Sequence, residues 1–175
     1  MNKKKDLLAI PFFIMLSSCV TVYEDAAIVN APADEACKKV NELIDSHQDG
    51  FEKYKGNIVT TRRMDLWDAN YHLVGDSCQV WRWSDGKQTY TCSFIVSSED
   101  IAIKTQDKAI SFLSSCLGEQ WKKESIERST GNSLRTIFSH DNLKTTASVH
   151  RIKTEGVFKP EWTIYYFIGD RDRSL

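Results

Sequence analysis

Cys78 and Cys92 stand six residues either side of a Ser84-Asp85-Gly86 turn signal, and this symmetry constrains the chain more than any other feature. Runs rich in β-formers, residues 77–83 and 88–96, flank the turn. A three-residue hairpin loop pairs Trp83 with Lys87. Stepping outward pairs Arg82 with Gln88, Val80 with Tyr90, and Cys78 with Cys92. Facing β-carbons lie ~4.5–5.5 Å apart, near the reach of a disulfide. The same alternation sends Cys78, Val80 and Arg82 to one face and Gln79, Trp81 and Trp83 to the other. Tyr90, Cys92, Phe94 and Val96 join the cysteine face, which reads as core. Opposite, Trp81 and Trp83 sit among Lys87, Thr89, Thr91 and Ser93. Large aromatics among polar neighbours mark a binding surface, unless a segment such as residues 65–75 covers them as ordinary packing.

The N-terminus carries a different pattern. MNKKK is a basic leader, and residues 7–16 form a short apolar run broken only by Pro11. That run is too short for a bilayer span, which needs about 20 apolar residues, but it suits a secretory signal. It ends in Leu16-Ser17-Ser18-Cys19, which resembles the lipobox of bacterial lipoproteins. The resemblance implies a signal peptide over 1–18, acylation of Cys19 and a lipidated tether over 19–30. Val20 stands where an aspartate would retain such a protein at the inner membrane. The resemblance therefore implies the outer membrane, with the domain facing the periplasm.

Loss of the signal takes Lys+Arg from 23 to 20 and Asp+Glu from 24 to 23, leaving a formal charge of about −3. Such a chain has no general pull on nucleic acid or anionic lipid. Its membrane contact is expected through the lipid on Cys19, which anchors firmly when several acyl chains are present.

Assigning Cys19 to lipid leaves four of the five cysteines. In an oxidising compartment they form two disulfides, with three connectivities open. If the hairpin takes Cys78 with Cys92, Cys37 is left to Cys116. No C-x-x-C spacing and no close Cys/His pair suggests a redox or zinc site, so no metal or cofactor is expected.

Pro32 suits the start of a helix. Ala36, Cys37, Val40, Leu43, Ile44 and His47 then recur at helical steps, and Gly50 supplies a left-handed end. A second helix begins at Ser98 or Thr105, carries Ala109, Phe112, Leu113, Cys116 and Leu117 on one face, and closes at Gly118. Both cysteines lie on apolar faces, Cys37 near a helix start and Cys116 near a helix end, so antiparallel packing would bring them together. Residues 57–64 are β-rich, 65–75 are ambiguous, and 134–138, 143–152 and 162–168 read as strands. Turns are expected at Gly131-Asn132 and at residues 139–142, and Gly156 and Pro160 break the loop before the last strand. Trp162, Ile164, Tyr166 and Ile168 share one face of that strand; Thr163, Tyr165 and Phe167 share the other. A strand apolar on both faces is central. The order is one helix and about three strands, then one helix and three or four strands, a pattern that suggests a degenerate repeat. The expected class is α+β, with two helices packed on an antiparallel sheet. One domain is expected over 31–170, with a tail at 171–175.

No reaction is written in the chain. HExxH, Gly-x-Ser-x-Gly and phosphate-cradling loops are missing from the sequence. His47, His72, His140 and His150 are dispersed, so no catalytic residue is assigned. Tyr90-Thr91-Cys92 resembles the Tyr-x-Cys of lipoprotein lysozyme inhibitors, but the two helices depart from that all-β family. The reading that fits best is a binding module of the cell envelope, of inhibitor, immunity or assembly type, with a protein partner and Trp81 and Trp83 at its surface. The alternative is an envelope hydrolase, which would need a deep pocket with converging histidine and carboxylates.

Overall fold

The computed structural model describes residues 31–60, 64–127, 133–155 and 160–170. The lipobox, the tether, the tail and the turns expected at Gly131-Asn132 and Gly156 lie outside the described residues. Helix α1 spans Ala33–Ser46, preceded by Pro32, and ends through a short 3-10 turn at Gly50, whose φ is +70°. Strands β1 (Lys55–Thr60), β2 (Met64–Ala69), β3 (Cys78–Trp83) and β4 (Gln88–Val96) follow. Helix α2 spans Glu99–Leu117, and the Ser98 hydroxyl accepts from the Ile101 amide to cap it. Of the two expected starts, Ser98 is therefore the one used. Strands β5 (Lys122–Glu127), β6 (Ser133–Ser139), β7 (Thr145–Glu155) and β8 (Pro160–Asp170) complete the described chain.

All eight strands form one antiparallel sheet in the order β1-β2-β3-β4-β8-β7-β6-β5. The fold is thus a helix followed by a four-strand meander, twice over. The last strand of each half meets the other at the centre. The expected class holds, but the sheet is richer in strands than anticipated. The β-rich run at 57–64 divides between β1 and β2, and the ambiguous segment supplies β2 before leaving the sheet. Strand β5 was not expected: every side chain in its KKESIE stretch is exposed, so it has no apolar alternation to reveal it. Its polar edge suits an end strand.

The helices pack together and against β4, β7 and β8 on one face of the sheet. Val40, Leu43 and Ile44 of α1 and Ala102, Ala109 and Leu113 of α2 meet Tyr90, Cys92, Val149, Ile164, Tyr166 and Ile168. Each fully buried large side chain contributes ~1.5–3 kcal/mol. Strand β8 lies at the centre, as its two apolar faces predict. Both disulfides are present: Cys37–Cys116 joins α1 to α2, with Cα atoms 4.7 Å apart, and Cys78–Cys92 staples the hairpin. The hairpin register runs from Cys78 opposite Cys92 to Arg82 opposite Gln88, as expected.

The segment after β2 packs on the helix side. Leu73 and Val74 are fully buried there, and the Tyr90 hydroxyl donates to the Tyr71 carbonyl (2.8 Å) and accepts from the Leu73 amide (3.1 Å). Residues 65–75 therefore do not cover Trp81 and Trp83. Their first part forms the strand beside the tryptophans, and the rest lies on the opposite face.

Candidate functional site

The face away from the helices is built by alternation. The paired registers place side chains in rows across it. One row runs Leu66, Trp81, Thr89, Gly169, Thr146. The next runs Gln79, Thr91, Phe167, Ser148, Ile137, and a third runs Ser93, Tyr165, His150, Arg135. Both helices and the 70–77 loop occupy the other side, so among the described residues no element lies over these rows. Even so, Thr89, Thr91, Ser148 and Thr163 are buried. Trp81 and Trp83 on β3 line one cleft with Arg135 and Ile137 on β6. Three strands separate β3 from β6, roughly 19 Å if the sheet were flat. The sheet therefore curls, the long side chains lean inward, and the face is concave.

Aromatic rings run along the floor of the curve. Trp81 meets Trp83 edge-on at 5.8 Å and Phe167 edge-on at 6.2 Å. Phe167 stacks on Tyr165 at 5.6 Å and lies 4.7 Å from the His150 ring. These geometries match the quadrupole preferences of ring pairs. The Trp81 indole N–H donates to Gln79 Oε1 at 3.0 Å, which sets the ring's orientation. Both tryptophans are half-buried, whereas Phe167 is 9% exposed. Gly169 is needed between Thr89 and Thr146: its φ is +151°, and a β-carbon there would collide with the Gln88 carbonyl. The space between Thr89 and Thr146 is thereby left without a side chain in this row.

The polar groups of the face are mostly neutral. His150 is buried, with Nε2 3.1 Å from the Ser148 hydroxyl. The Thr146 hydroxyl donates to the Gly169 carbonyl at 3.3 Å. Burial raises the pKa of the Tyr165 phenol, which keeps it neutral. The space enclosed by the cleft is about 30 Å³, room for one or two water molecules.

The other candidate residues lie elsewhere. Tyr90 and Cys92 of the Tyr-x-Cys stretch are buried in the core, with only Thr91 on the open face. His140 occupies its expected turn, where its Nδ1 accepts from the Asn142 amide at 3.2 Å. His47 stands at the end of α1 as expected, with Nδ1 2.8 Å from Thr145 Oγ1 and Nε2 3.2 Å from Asp170 Oδ2. A hydroxyl, an imidazole and a carboxylate in line resemble a nucleophile with its base. Thr145, however, is only 5% exposed, and Asp170 also accepts the Gln88 amide at 2.7 Å. The trio clasps the end of α1 to the ends of β4, β7 and β8. Among the described residues no cluster of three or more His, Cys, Asp or Glu is placed to hold a metal ion. No helix among them is long and apolar enough to cross a membrane. No protein-family model, curated protein or solved structure matches the chain.

The alternation of β3 identifies Trp81 and Trp83 in advance. It does not reveal Phe167, His150 or Arg135 as their companions. The shared face of Tyr165 and Phe167 was readable, but nothing local says that β8 lies beside β4.

Proposed function

We propose that this chain is a lipid-anchored binding protein of the bacterial outer membrane, and that its concave sheet face, centred on Trp81 and Trp83, holds a protein partner in the periplasm. One observation carries the binding role. From Thr89 to Ile95 on β4, Thr163 to Gly169 on β8 and Thr146 to Ile152 on β7, the open face carries aromatic, hydroxyl and aliphatic groups and one imidazole. Charged residues stand on the flanks: Asp68 on β2, Arg135 on β6, Lys122 and Glu124 on β5. An uncharged, aromatic centre inside a charged rim is the anatomy of a protein interface. The anchor is supported by Leu16-Ser17-Ser18-Cys19 followed by Val20, and by two disulfides that use the four cysteines left over. Disulfides of this kind persist in oxidising compartments.

Trp81→Ala with Trp83→Ala is expected to weaken capture of the partner from envelope extract by about 2 kcal/mol or more, as hot-spot aromatics do. Circular dichroism and the unfolding midpoint should stay close to wild type. Unchanged capture, or a double variant that unfolds, would show that the rings serve packing instead. Cys19→Ser should move the protein from the membrane pellet to the soluble fraction; sedimentation identical to wild type would remove the lipid anchor from the proposal.

A further inference from the structure

We infer that the open face recognises a carboxylate carried on a loop of its protein partner, with Arg135 as the receiving cation; this rests on the reading of that face as the recognition surface. Arg135 is half-buried on β6, between His150 on β7 and Ile126 on β5. It lines the same cleft as Trp81, Phe167 and Thr89. Several other cations of the sheet are compensated: Arg82 pairs with Asp65, Lys55 with Glu52 and Lys122 with Asp141, while Arg151 and Lys153, on β7, lie over the Trp162 ring. Among the described residues Arg135 has no carboxylate within ion-pair distance. The nearest open-face acid by register, Glu124, stands diagonally across on β5. Asp170, at the end of the cleft, is already engaged by His47 and the Gln88 amide. A half-buried guanidinium without a counter-charge is unfavourable, and its planar fork matches a carboxylate.

A second observation points the same way. Thr89 is 4% exposed and lines this cleft, and among the described residues its hydroxyl has no hydrogen-bond partner. Buried polar groups are nearly always paired, so the cleft holds hydrogen-bonding capacity that an incoming group can use. The cleft beside the tryptophans encloses about 30 Å³, room for a side-chain tip, and a second hollow of about 360 Å³ shares Arg135 and His150 with it and reaches Ile126 on β5. Together they follow the open face from β3 to β5, a track that suits an extended polypeptide loop, and the aromatic floor is what such a loop buries. With the signal removed, the formal charge of about −3 disfavours a polyanion or an anionic lipid surface.

The test titrates the purified full chain, in non-ionic detergent, with the capped peptide Ac-Gly-Asp-Tyr-Gly-amide and its asparagine counterpart. Binding is followed by isothermal titration calorimetry, which reads wild type and every variant alike. The aspartate peptide should bind saturably, and the asparagine peptide roughly tenfold more weakly. Arg135→Gln should abolish the difference between them. Equal binding of the two peptides to wild type, a preference that survives Arg135→Gln, or no saturable binding overturns the inference. If Trp81→Ala with Trp83→Ala weakens both peptides while Arg135→Gln changes nothing, the recognition face stands and the carboxylate assignment falls. If neither variant matters, both fall. Arg135-dependent pelleting with phosphatidylglycerol vesicles, without a peptide response, would assign the cation to a lipid headgroup and overturn the protein partner.

Discussion

Replacing Cys37 and Cys116 together by serine is expected to lower the unfolding free energy by about 4–5 kcal/mol, because the bridge closes a long loop in the unfolded chain. The two cysteines are 79 residues apart in sequence, whereas Cys78 and Cys92 are 14 apart. On the same loop-entropy argument the hairpin bridge contributes about 3 kcal/mol. Packing widens the gap in the same direction. Strands β3 and β4 are each hydrogen-bonded on both sides, to β2 and β8 as well as to each other. The long bridge instead ties two helices that belong to different halves of the fold. A domain of this size has a total stability of only 5–15 kcal/mol, so the loss is a large share of it. Urea unfolding of the two double-serine variants would measure the difference. A hairpin variant that loses as much stability as the helix variant would contradict the argument.

Tyr90→Ala is expected to cost about 3–5 kcal/mol, the range for removing a large buried aromatic. Tyr90 is 1% exposed, and its ring lies 6.4 Å from Phe51 and 6.1 Å from Tyr54. Tyr90→Phe keeps the ring and removes the hydroxyl that holds the Tyr71 carbonyl and the Leu73 amide. Leaving those two backbone groups unpaired should cost about 1–3 kcal/mol. The pair of variants thus separates packing from the polar clamp on the 70–77 loop; a Tyr90→Phe variant as stable as wild type would show that the loop does not need it. The clamp also has a pH signature. Burial pushes the Tyr90 phenol above its ordinary value of 10.0. The folded-state preference for the neutral phenol is fully present below pH 10 and is lost as the pH rises towards the folded value. Tyr90→Phe should flatten the alkaline limb of the stability profile.

Residues close in sequence made much of this fold readable. The hairpin register follows from one turn and one alternation, and it places Cys78 against Cys92 and turns Trp81 and Trp83 outward. Assigning Cys37 to Cys116 needed only elimination and two apolar helix faces. Strand β5 was hidden because Lys122 to Glu127 are all exposed, leaving no period to detect. The four-strand halves were undercounted for the same reason, since β1 and β2 alternate weakly and the turn between them carries no strong signal. The open face was half legible. Trp81 and Trp83 belong to a local pattern. Phe167, His150 and Arg135 join them only through the β4-β8-β7-β6 order, in which Thr91 pairs with Phe167, 76 residues later.

That central seam also governs when the molecule can come into being. As the chain emerges from its N-terminus, β4 is made long before its partner. Until Pro160–Asp170 arrives, β4 and β7 each lack one neighbour, and the rows that form the concave face have no middle. Neither half can hide its inner edge by itself. The final described strand acts as a keystone: a product truncated before it would present two bare edges ready to pair with other chains, so the sheet closes only once Pro160–Asp170 is in place.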